Sequence, residues 1–460
     1  MDTQLQPADK GANMGVVEIG LIYTALTLVL LFSGMPIAFA LGSSAVIIMY
    51  FFMPATNIHL IAETIFGELE NFTLLTIPLF ILMGAAIGKT RAAVDLYESA
   101  YRWLYRMPGS LGVANVAGCT IFAALCGSSP ATCAAIGGMG IPEMRKRGYS
   151  GALASGLIAA GGTLGILIPP SITLIIYGVM AEQSIGKLFI AGIVPGILLA
   201  VLFSVWVVVK FIRDRHEWMK TASPEEIAKV AQKEHFTWKE KMESLPRLLP
   251  FLLLIGLIMG AMYGGFGTPS EVAGVGAVAA LILVIALYKC YQWTDLRAIF
   301  TGTAKESCMV MMIIAMSFLF TYVMSYLRIS QSMAEWLVAL EMSKWALLFW
   351  VNMLLLVLGF FLPPVAIILM ITPVILPPIL AAGFDPIWFG IILTINMELG
   401  LITPPVGLNL FVINGIAPDI KFGEIFRGIV PFILIIAGYI AFLSVFPEVV
   451  MFLPDMFYDY

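Results

Sequence analysis

One block of sequence occurs twice in this 460-residue chain, and it carries glycine and proline where a continuous apolar helix does not tolerate them. The first copy contains GSSPAT, IPEMRKRGY, GILIPPS and GIVP, and the second contains LPPVA, LPPILAAGF, GLITPP and GIVP in the same order. The offset between Pro169-Pro170 and Pro404-Pro405 is the same as that between Gly165 and Gly400. Because both copies lie within long apolar runs, the chain must contain two equivalent helix breaks in an apolar environment.

Apolar runs of about 18 residues or more recur along the whole chain. Hydrophobic residues make up 60% of the sequence and charged residues 12%, which is more apolar surface than a soluble core needs. The N-terminal segment lacks the basic start, short apolar region and cleavage site of a signal peptide, so the first span is expected to stay as an anchor. The sequence predicts an all-α polytopic membrane protein.

The spans fall into two halves of the same plan. Residues 1–210 form the first predicted repeat and residues 248–447 the second. A polar stretch with mixed charge, 211–247, is the predicted cytoplasmic linker between them. Residues 448–460 form a C-terminal tail.

Each repeat is predicted to have five crossings, one of them broken, and one re-entrant hairpin. The hairpins cover 111–148 and 346–384, and the broken helices cover 150–182 and 386–417. The arms of the first hairpin are shorter than the ~20 residues that a full span needs, and basic residues flank both of its ends. This hairpin therefore enters and leaves the membrane on one side.

The distribution of lysine and arginine indicates that the two repeats are inverted. Five crossings is an odd number, so the halves must start on opposite sides of the membrane. With the N-terminus outside, 21 of the 25 Lys and Arg residues fall in predicted cytoplasmic segments. These segments are 89–106, 145–147, 210–247, 289–305 and 421–427. We therefore expect an inverted-topology repeat with both termini in the periplasm.

The two breaks are predicted to face the hairpin tips in polar cavities. Backbone groups at a helix break lose their intrahelical partners, which costs several kcal/mol each in lipid unless a cavity solvates them. Free carbonyls and Ser, Thr or Asn oxygens can replace the hydration shell of a small cation, and half-helix N-termini attract anions. We expect two cation sites with the substrate between the tips. The first tip, from Gly127 to Thr132, should face Gly165 to Ser171, and the second, from Leu362 to Pro364, should face Gly400 to Asn409.

Other classes of function fit less well. The segment GAAIGKT resembles a phosphate-binding loop, but Met83 stands where that motif requires glycine, so no nucleotide or nucleic-acid partner is expected and an ion gradient should drive transport. Glu271 and Glu398 stand in otherwise apolar spans and leave proton coupling open as an alternative to structural capping. A remote alternative, an intramembrane enzyme, lacks a His or Lys near Ser128 and Ser129.

The segments GSSPATCAAIG, IPEMRKRGY, GTLGILIPPSI, SIGKLFIAGIVPG and ELGLITPPVGLNLFV resemble the large membrane subunit of TRAP transporters, the tripartite ATP-independent periplasmic (DctM-like) family. The resemblance covers nearly the whole chain. It implies an elevator-type secondary transporter of the bacterial inner membrane that couples sodium to uptake of an organic acid such as a C4-dicarboxylate. It also implies two partners, a small membrane subunit and a periplasmic substrate-binding protein.

The resemblance also assigns site residues by motif, and implies two or more sodium ions. The implied cation ligands are Gly127, Ser128, Ser129, Gly165, Pro169 and Ser171 at the first site and Leu362, Gly400, Thr403 and Pro404 at the second. The implied substrate contacts are Ser128, Ser129, Thr132, Ser171, Pro363, Pro364 and Asn409. Many members of the family carry Asp after the Leu of the second tip, whereas this chain has Leu362-Pro363-Pro364 and lacks that acidic group.

Overall fold

The structure is a computed structural model that describes residues 15–221, 236–339 and 342–458, and the regular elements in those ranges are helices. The predicted periplasmic N-terminus falls on residues 1–14, outside the described residues. The helices of the first half are α1 (Val16–Phe32), α2 (Ile37–Phe52), α3 (Leu60–Leu69), α4 (Thr76–Gly88), α5 (Ala92–Leu104), α6 (Ser110–Cys126), α7 (Ser129–Lys146), α8 (Gly151–Thr163), α9 (Ile172–Met180) and α10 (Ile185–Thr221).

The second half begins again with long helices. They are α11 (Trp238–Tyr263), α12 (Pro269–Tyr288), α13 (Trp293–Tyr326), α14 (Ile329–Ala339), α15 (Lys344–Gly359), α16 (Pro364–Ala381), α17 (Pro386–Ile402), α18 (Leu408–Ile416), α19 (Phe422–Val445) and α20 (Glu448–Tyr458). In the described part of the chain, six helices are long and apolar enough to cross a membrane, and a seventh span results if the bent pair at 56–69 and 72–88 is one. The all-α polytopic class is therefore confirmed.

The segments that the sequence presents as polar connections are largely helical. Helix α10 continues to Thr221 and α11 begins at Trp238, where Thr237 and Glu240 form a capping box, so both ends of the 211–247 linker are helix. Its middle, 222–235, lies outside the described residues. The tail likewise contains helix α20, which packs against α10. Charged residues at these helix ends are solvated without interrupting the backbone hydrogen bonds.

The two halves differ at one junction. In the first half, α3 and α4 meet at a bend of 63°, where the Asn71 side chain accepts a hydrogen bond from the Thr73 amide. In the second half, α13 is one helix of 34 residues, so the expected loop at 289–305 is mostly helix. In the early spans the two halves are offset by 233 residues, as Gly34 and Gly267 show, which makes Ala304 equivalent to Asn71. No proline interrupts 293–305, and alanine supplies no side-chain cap that competes with the helix there.

Contacts between the halves are reciprocal, as a twofold relation requires. Gly42 lies against the Met316 side chain. In the opposite halves, a Cβ on Gly276 would lie 3.7 Å from Met83 Sδ; Met83 precedes Met316 by 233 residues and Gly42 precedes Gly276 by 234. Similarly, α19 crosses α8 where the backbones of Gly428 and Gly156 meet. The equivalent crossing is α10 on α17, where Gly192 lies against Ile391. Each repeat thus packs its last span against the broken helix of the other.

Segments predicted to be cytoplasmic lie together in the structure. Arg145, at the end of the first hairpin, pairs with Asp419 in the connection before α19. Arg247 lies 3.4 Å from Glu98 on α5, and the Tyr288 hydroxyl donates to Asp95 at 2.8 Å. These contacts join first-half and second-half segments on one face of the molecule.

Candidate functional site

The first hairpin turns at a glycine with left-handed backbone geometry. Gly127 ends α6 with φ 61°, a conformation that L side chains rarely adopt. Ser128 then has an extended backbone and precedes α7, whose first residues are Ser129 and Pro130. Proline fits here because the first helical amides have no intrahelical partner. The tip therefore points the N-terminus of α7 into the protein.

The first break lies in the fully buried interior of the protein. Helix α8 ends at Thr163, a single 3-10 turn follows, and Pro169 and Pro170 separate it from α9. Ser171 caps α9: its Oγ accepts from the Leu174 amide at 3.3 Å and donates to the Ile166 carbonyl at 2.5 Å. One hydroxyl thus satisfies groups on both sides of the break, which explains why serine stands at this position.

The structure brings the first tip and the first break together. A Cβ on Gly165 would lie 3.2 Å from the Ser128 carbonyl oxygen and 3.4 Å from Thr132 Oγ1. A Cβ on Gly127 would lie 3.4 Å from the Pro170 carbonyl oxygen. Glycine at both positions therefore permits backbone oxygens of the tip and of the break to approach one another closely.

The second tip and break are more open. Leu362, Pro363 and Pro364 are half-buried, Pro404 is half-buried, and Pro405 is exposed. In the second half, the hairpin comes closest to the break at Gly359, just before the tip. A Cβ on Gly400 in the break would lie 2.7 Å from the Gly359 Cα atom. Thr403 ends α17 and donates to the Leu399 carbonyl at 2.6 Å. Gly407, with φ 55°, precedes α18 without a side-chain cap.

Asn409 lies against the first tip, which corrects its expected place opposite the second tip. Its Nδ2 donates to Ser129 Oγ at 2.8 Å and to the Ala159 carbonyl of α8 at 2.9 Å, and the side chain is fully buried. Helix α18 packs against α7 and α8, so it carries Asn409 into the first half. The second break thus contributes a polar group to the first tip.

The oxygens around the first tip suit a hard cation rather than a transition metal. They are neutral carbonyl and hydroxyl oxygens, the donor type that small hard cations accept. In the described ranges, no group of three or more His, Cys, Asp or Glu side chains lies close enough to hold a metal ion. Ser128 O already accepts from the Thr132 amide and hydroxyl, and Ser171 is committed to its cap. A cation at this site therefore has to share these oxygens with local hydrogen bonds.

The two predicted intramembrane acids differ in environment. Glu271 lies in the first turn of α12, which is itself a candidate span, and there it is exposed and forms a capping box with Thr268 at 2.7 and 2.9 Å. Glu398 on α17 has 0% exposed area, and its two carboxyl oxygens make no hydrogen bond within the described residues. A bare charge at such a place is costly. Glu398 therefore does not cap the neighbouring break, whereas Glu271 caps the start of its own helix.

Two polar pairs between distant segments were missed from the sequence. Asn396 Nδ2 on α17 donates to Asn352 Oδ1 on α15 at 2.9 Å, and both side chains are buried. The signal for this pair is an asparagine within each of two apolar helices. Arg145 and Asp419 form the second pair, and this hydrogen bond lowers the pKa of the exposed Asp419 carboxyl from its ordinary value. Nothing in the local sequence links these two positions.

Known proteins match the chain over most of its length. Residues 24–449 match the family model described as "Tripartite ATP-independent periplasmic transporter, DctM component". The chain is similar to the C4-dicarboxylate TRAP transporter large permease protein DctM of Pseudomonas aeruginosa, with 38% identity over 90% of this chain and 94% of that protein. It is also similar to the isethionate TRAP transporter permease protein DctMQ of Oleidesulfovibrio alaskensis, with 34% identity over 94% of this chain and 65% of that protein.

A solved structure shares the fold. The Alcanivorax borkumensis YdaH transporter, described as having an unusual topology, matches with a TM-score of 0.61 and 13% identity over 94% of this chain and 98% of that chain. The family match covers far more than half of the sequence, and the named relatives are permease subunits, so the protein is a transporter and not an enzyme. The chain belongs to the DctM family, the large membrane component of tripartite ATP-independent periplasmic transporters.

Proposed function

We propose that this subunit couples a sodium gradient to uptake of an organic acid, with C4-dicarboxylates as the first substrates to test. The observation that supports sodium is the convergence of neutral oxygens where Gly165 faces Ser128 and Thr132. The substrate class follows from the relative named for C4-dicarboxylates at 38% identity. As the large component of a tripartite system, the subunit acts with a small membrane subunit and a periplasmic binding protein.

Uptake of labelled succinate into proteoliposomes tests the coupling ion. The complete transporter and its binding protein are supplied with a sodium gradient, with a proton gradient, or with neither. We expect uptake with the sodium gradient and none when potassium replaces sodium. Equal uptake without sodium excludes sodium coupling, and uptake with a proton gradient alone supports the competing mechanism that the buried Glu398 motivates.

The sodium site can be tested residue by residue. Ser171→Ala should raise the sodium concentration needed for half-maximal uptake if this hydroxyl is a cation ligand. Ser150→Ala is the matched control, because Ser150 caps α8 by accepting from the Leu153 amide at 3.2 Å and lies outside the predicted site. The same sodium dependence in both variants removes Ser171 from the site.

We further propose that both termini lie in the periplasm. The elevator-type cycle that the family resemblance implies is part of the same proposal. The contacts of Arg145 with Asp419 and of Arg247 with Glu98 support the orientation, since they join segments that the charge distribution assigns to the cytoplasm. Single cysteines introduced into a cysteine-free protein at Glu63 and at Arg297, both exposed, test it. A membrane-impermeant thiol reagent should label position 63 from the periplasm and position 297 only after the membrane is opened. The reverse pattern overturns the orientation.

A further inference from the structure

A pocket of about 290 Å³ lies between α5, α6 and α7, outside the hairpin tips and breaks. It opens on the face that carries the contacts of Arg145 and Arg247. The volume is at the lower end of the range for small-molecule sites, which begins at about 300 Å³. The pocket is therefore large enough for one compact polar group.

Two arginines line this pocket, each on an aromatic ring. The Arg102 guanidinium lies 5.8 Å from the centre of the Phe236 ring, and that of Arg147 lies 4.9 Å from the centre of the Tyr101 ring. Both arginines are half-buried. Arg147 also donates to the Tyr101 hydroxyl, and Arg102 Nη1 lies 3.4 Å from the Glu240 carbonyl oxygen, so both guanidinium groups are held at the pocket wall with donors left for a phosphate or carboxylate.

Two carboxylates line the same pocket. Glu143 lies 2.7 Å from Lys146, and Glu98 lies 3.4 Å from Arg247. A purely anionic ligand that contacts the arginines would also face these carboxylates. A ligand with a phosphate at one end and an ammonium group at the other can satisfy both signs of charge.

Aromatic and basic residues continue from the pocket along the same face. Tyr105 packs edge-on against Phe236 with ring centres 5.6 Å apart, and Trp103 packs on Trp238 at 5.7 Å. The Lys241 ammonium lies 4.6 Å from the centre of the Tyr105 ring. Tyrosine and tryptophan concentrate at the level of lipid headgroups, and basic pockets on the cytoplasmic side of membrane proteins hold headgroups. This belt places the pocket at the membrane–water interface.

We propose that this pocket binds the headgroup of a phospholipid that carries a phosphate and a primary ammonium, as phosphatidylethanolamine does. The phosphate contacts Arg102 and Arg147, and the ammonium group contacts Glu98 and Glu143. Helix α7 is the second arm of the first hairpin, and α5 is the helix that precedes this hairpin. The bound headgroup therefore links the hairpin to α5. The lipid thereby stabilises the hairpin position seen in this structure.

Native mass spectrometry of the delipidated transporter complex tests the proposal. The protein is titrated with phosphatidylethanolamine, phosphatidylglycerol and phosphatidylcholine, and the affinity of each is measured. We expect phosphatidylethanolamine to bind most tightly, and Arg102→Gln combined with Arg147→Gln to weaken it by about tenfold, as loss of charge-assisted hydrogen bonds predicts. Arg297→Gln, an exposed arginine outside the pocket, is the matched control and should leave the affinity unchanged.

Two further variants test the carboxylate side of the pocket and its volume. Glu143→Gln should reduce the preference for phosphatidylethanolamine over phosphatidylglycerol while phosphate binding persists. Met139→Trp fills the pocket without removing a charge and should also block binding, which covers the case that the arginine variants do not fold. Equal affinity for the three lipids, equal weakening by Arg297→Gln, or displacement of the lipid by inorganic phosphate at equal concentration overturns the proposal.

Discussion

The two hairpin–break pairs share a backbone plan and differ in how far the protein encloses them. Both have a glycine in the break and a Pro-Pro peptide bond in the cis form. The first pair is buried and capped by Ser171, whereas the second is half-exposed and begins α18 at Gly407 with no side-chain cap. The difference shows that the duplicated sequence keeps the path of the backbone, while side chains make one site closed and the other accessible.

The polar groups are also shared unequally between the pairs. Asn409 extends from the second break to Ser129 and Ala159 in the first half. Leu174, at the equivalent position of the first half, is buried and apolar. The first break therefore extends no side-chain amide to the second tip from this position. The first tip therefore depends on the second half, and the predictions below test that asymmetry.

The largest of these effects should come from the closest backbone approach between a hairpin and its break. Gly400→Ala places a methyl group within 3 Å of the Gly359 backbone, which cannot move without shifting α15. We expect a loss of about 3 kcal/mol or more in the free energy of unfolding, the upper end for overpacking. Gly165→Ala meets Ser128 only at 3.2 Å and should cost clearly less. Thermal unfolding of both purified variants measures the difference, and equal losses contradict this ranking.

A smaller effect should follow from making the two breaks alike at Asn409. Asn409→Leu introduces the residue type of the first break and leaves Ser129 and the Ala159 carbonyl without this partner. Loss of a hydrogen bond to a buried group costs about 1–3 kcal/mol. Ser129→Ala, which leaves the Asn409–Ala159 hydrogen bond in place, is the control and should lose less stability. A fully stable Asn409→Leu protein would show that the halves do not depend on this contact.

The cap of the first break should have a moderate effect. Ser171→Ala removes the acceptor for the Leu174 amide and should cost about 1 kcal/mol in stability. Val406→Ser places serine at the equivalent position of the second break but should add no stability, because Gly407 and not residue 406 precedes α18. Melting temperatures of the two variants give the comparison, and a stabilised Val406→Ser protein would show that the breaks share one capping geometry.

The smallest effect concerns the pair that joins the first hairpin to the connection after the second break. Arg145 lowers the pKa of Asp419 below the aspartate value of about 3.9, so the pair stabilises the fold above that pH. This stability is lost as the pH falls through the lowered pKa of the folded state. Asp419→Asn should therefore lower the melting temperature slightly at neutral pH, and the difference should vanish in acid and in about 1 M salt. Leu380→Ala, at the position equivalent to Arg145, should show no such dependence on salt.

Periodicity, apolar length and the repeated motifs were sufficient for much of the architecture. They predicted an all-helical membrane protein, and the described helices confirm that class. They also predicted turns at the repeated glycines and prolines, because glycine tolerates and proline imposes such backbone conformations. The same local rules failed at 289–305, where helix α13 begins at Trp293 and continues through polar residues, since charge alone does not end a helix in water.

The sequence by itself determined the two breaks, because the misplaced Gly and Pro-Pro motifs act on the backbone within a few residues of themselves. Tertiary structure decided which groups meet there. Asn409 is placed at Ser129 by the packing of α18 on α7 and α8, and Asn396 meets Asn352 because α17 packs on α15. Contacts between residues so far apart in the chain depend on how helices pack, and helix packing depends on the whole apolar surface rather than on any one motif.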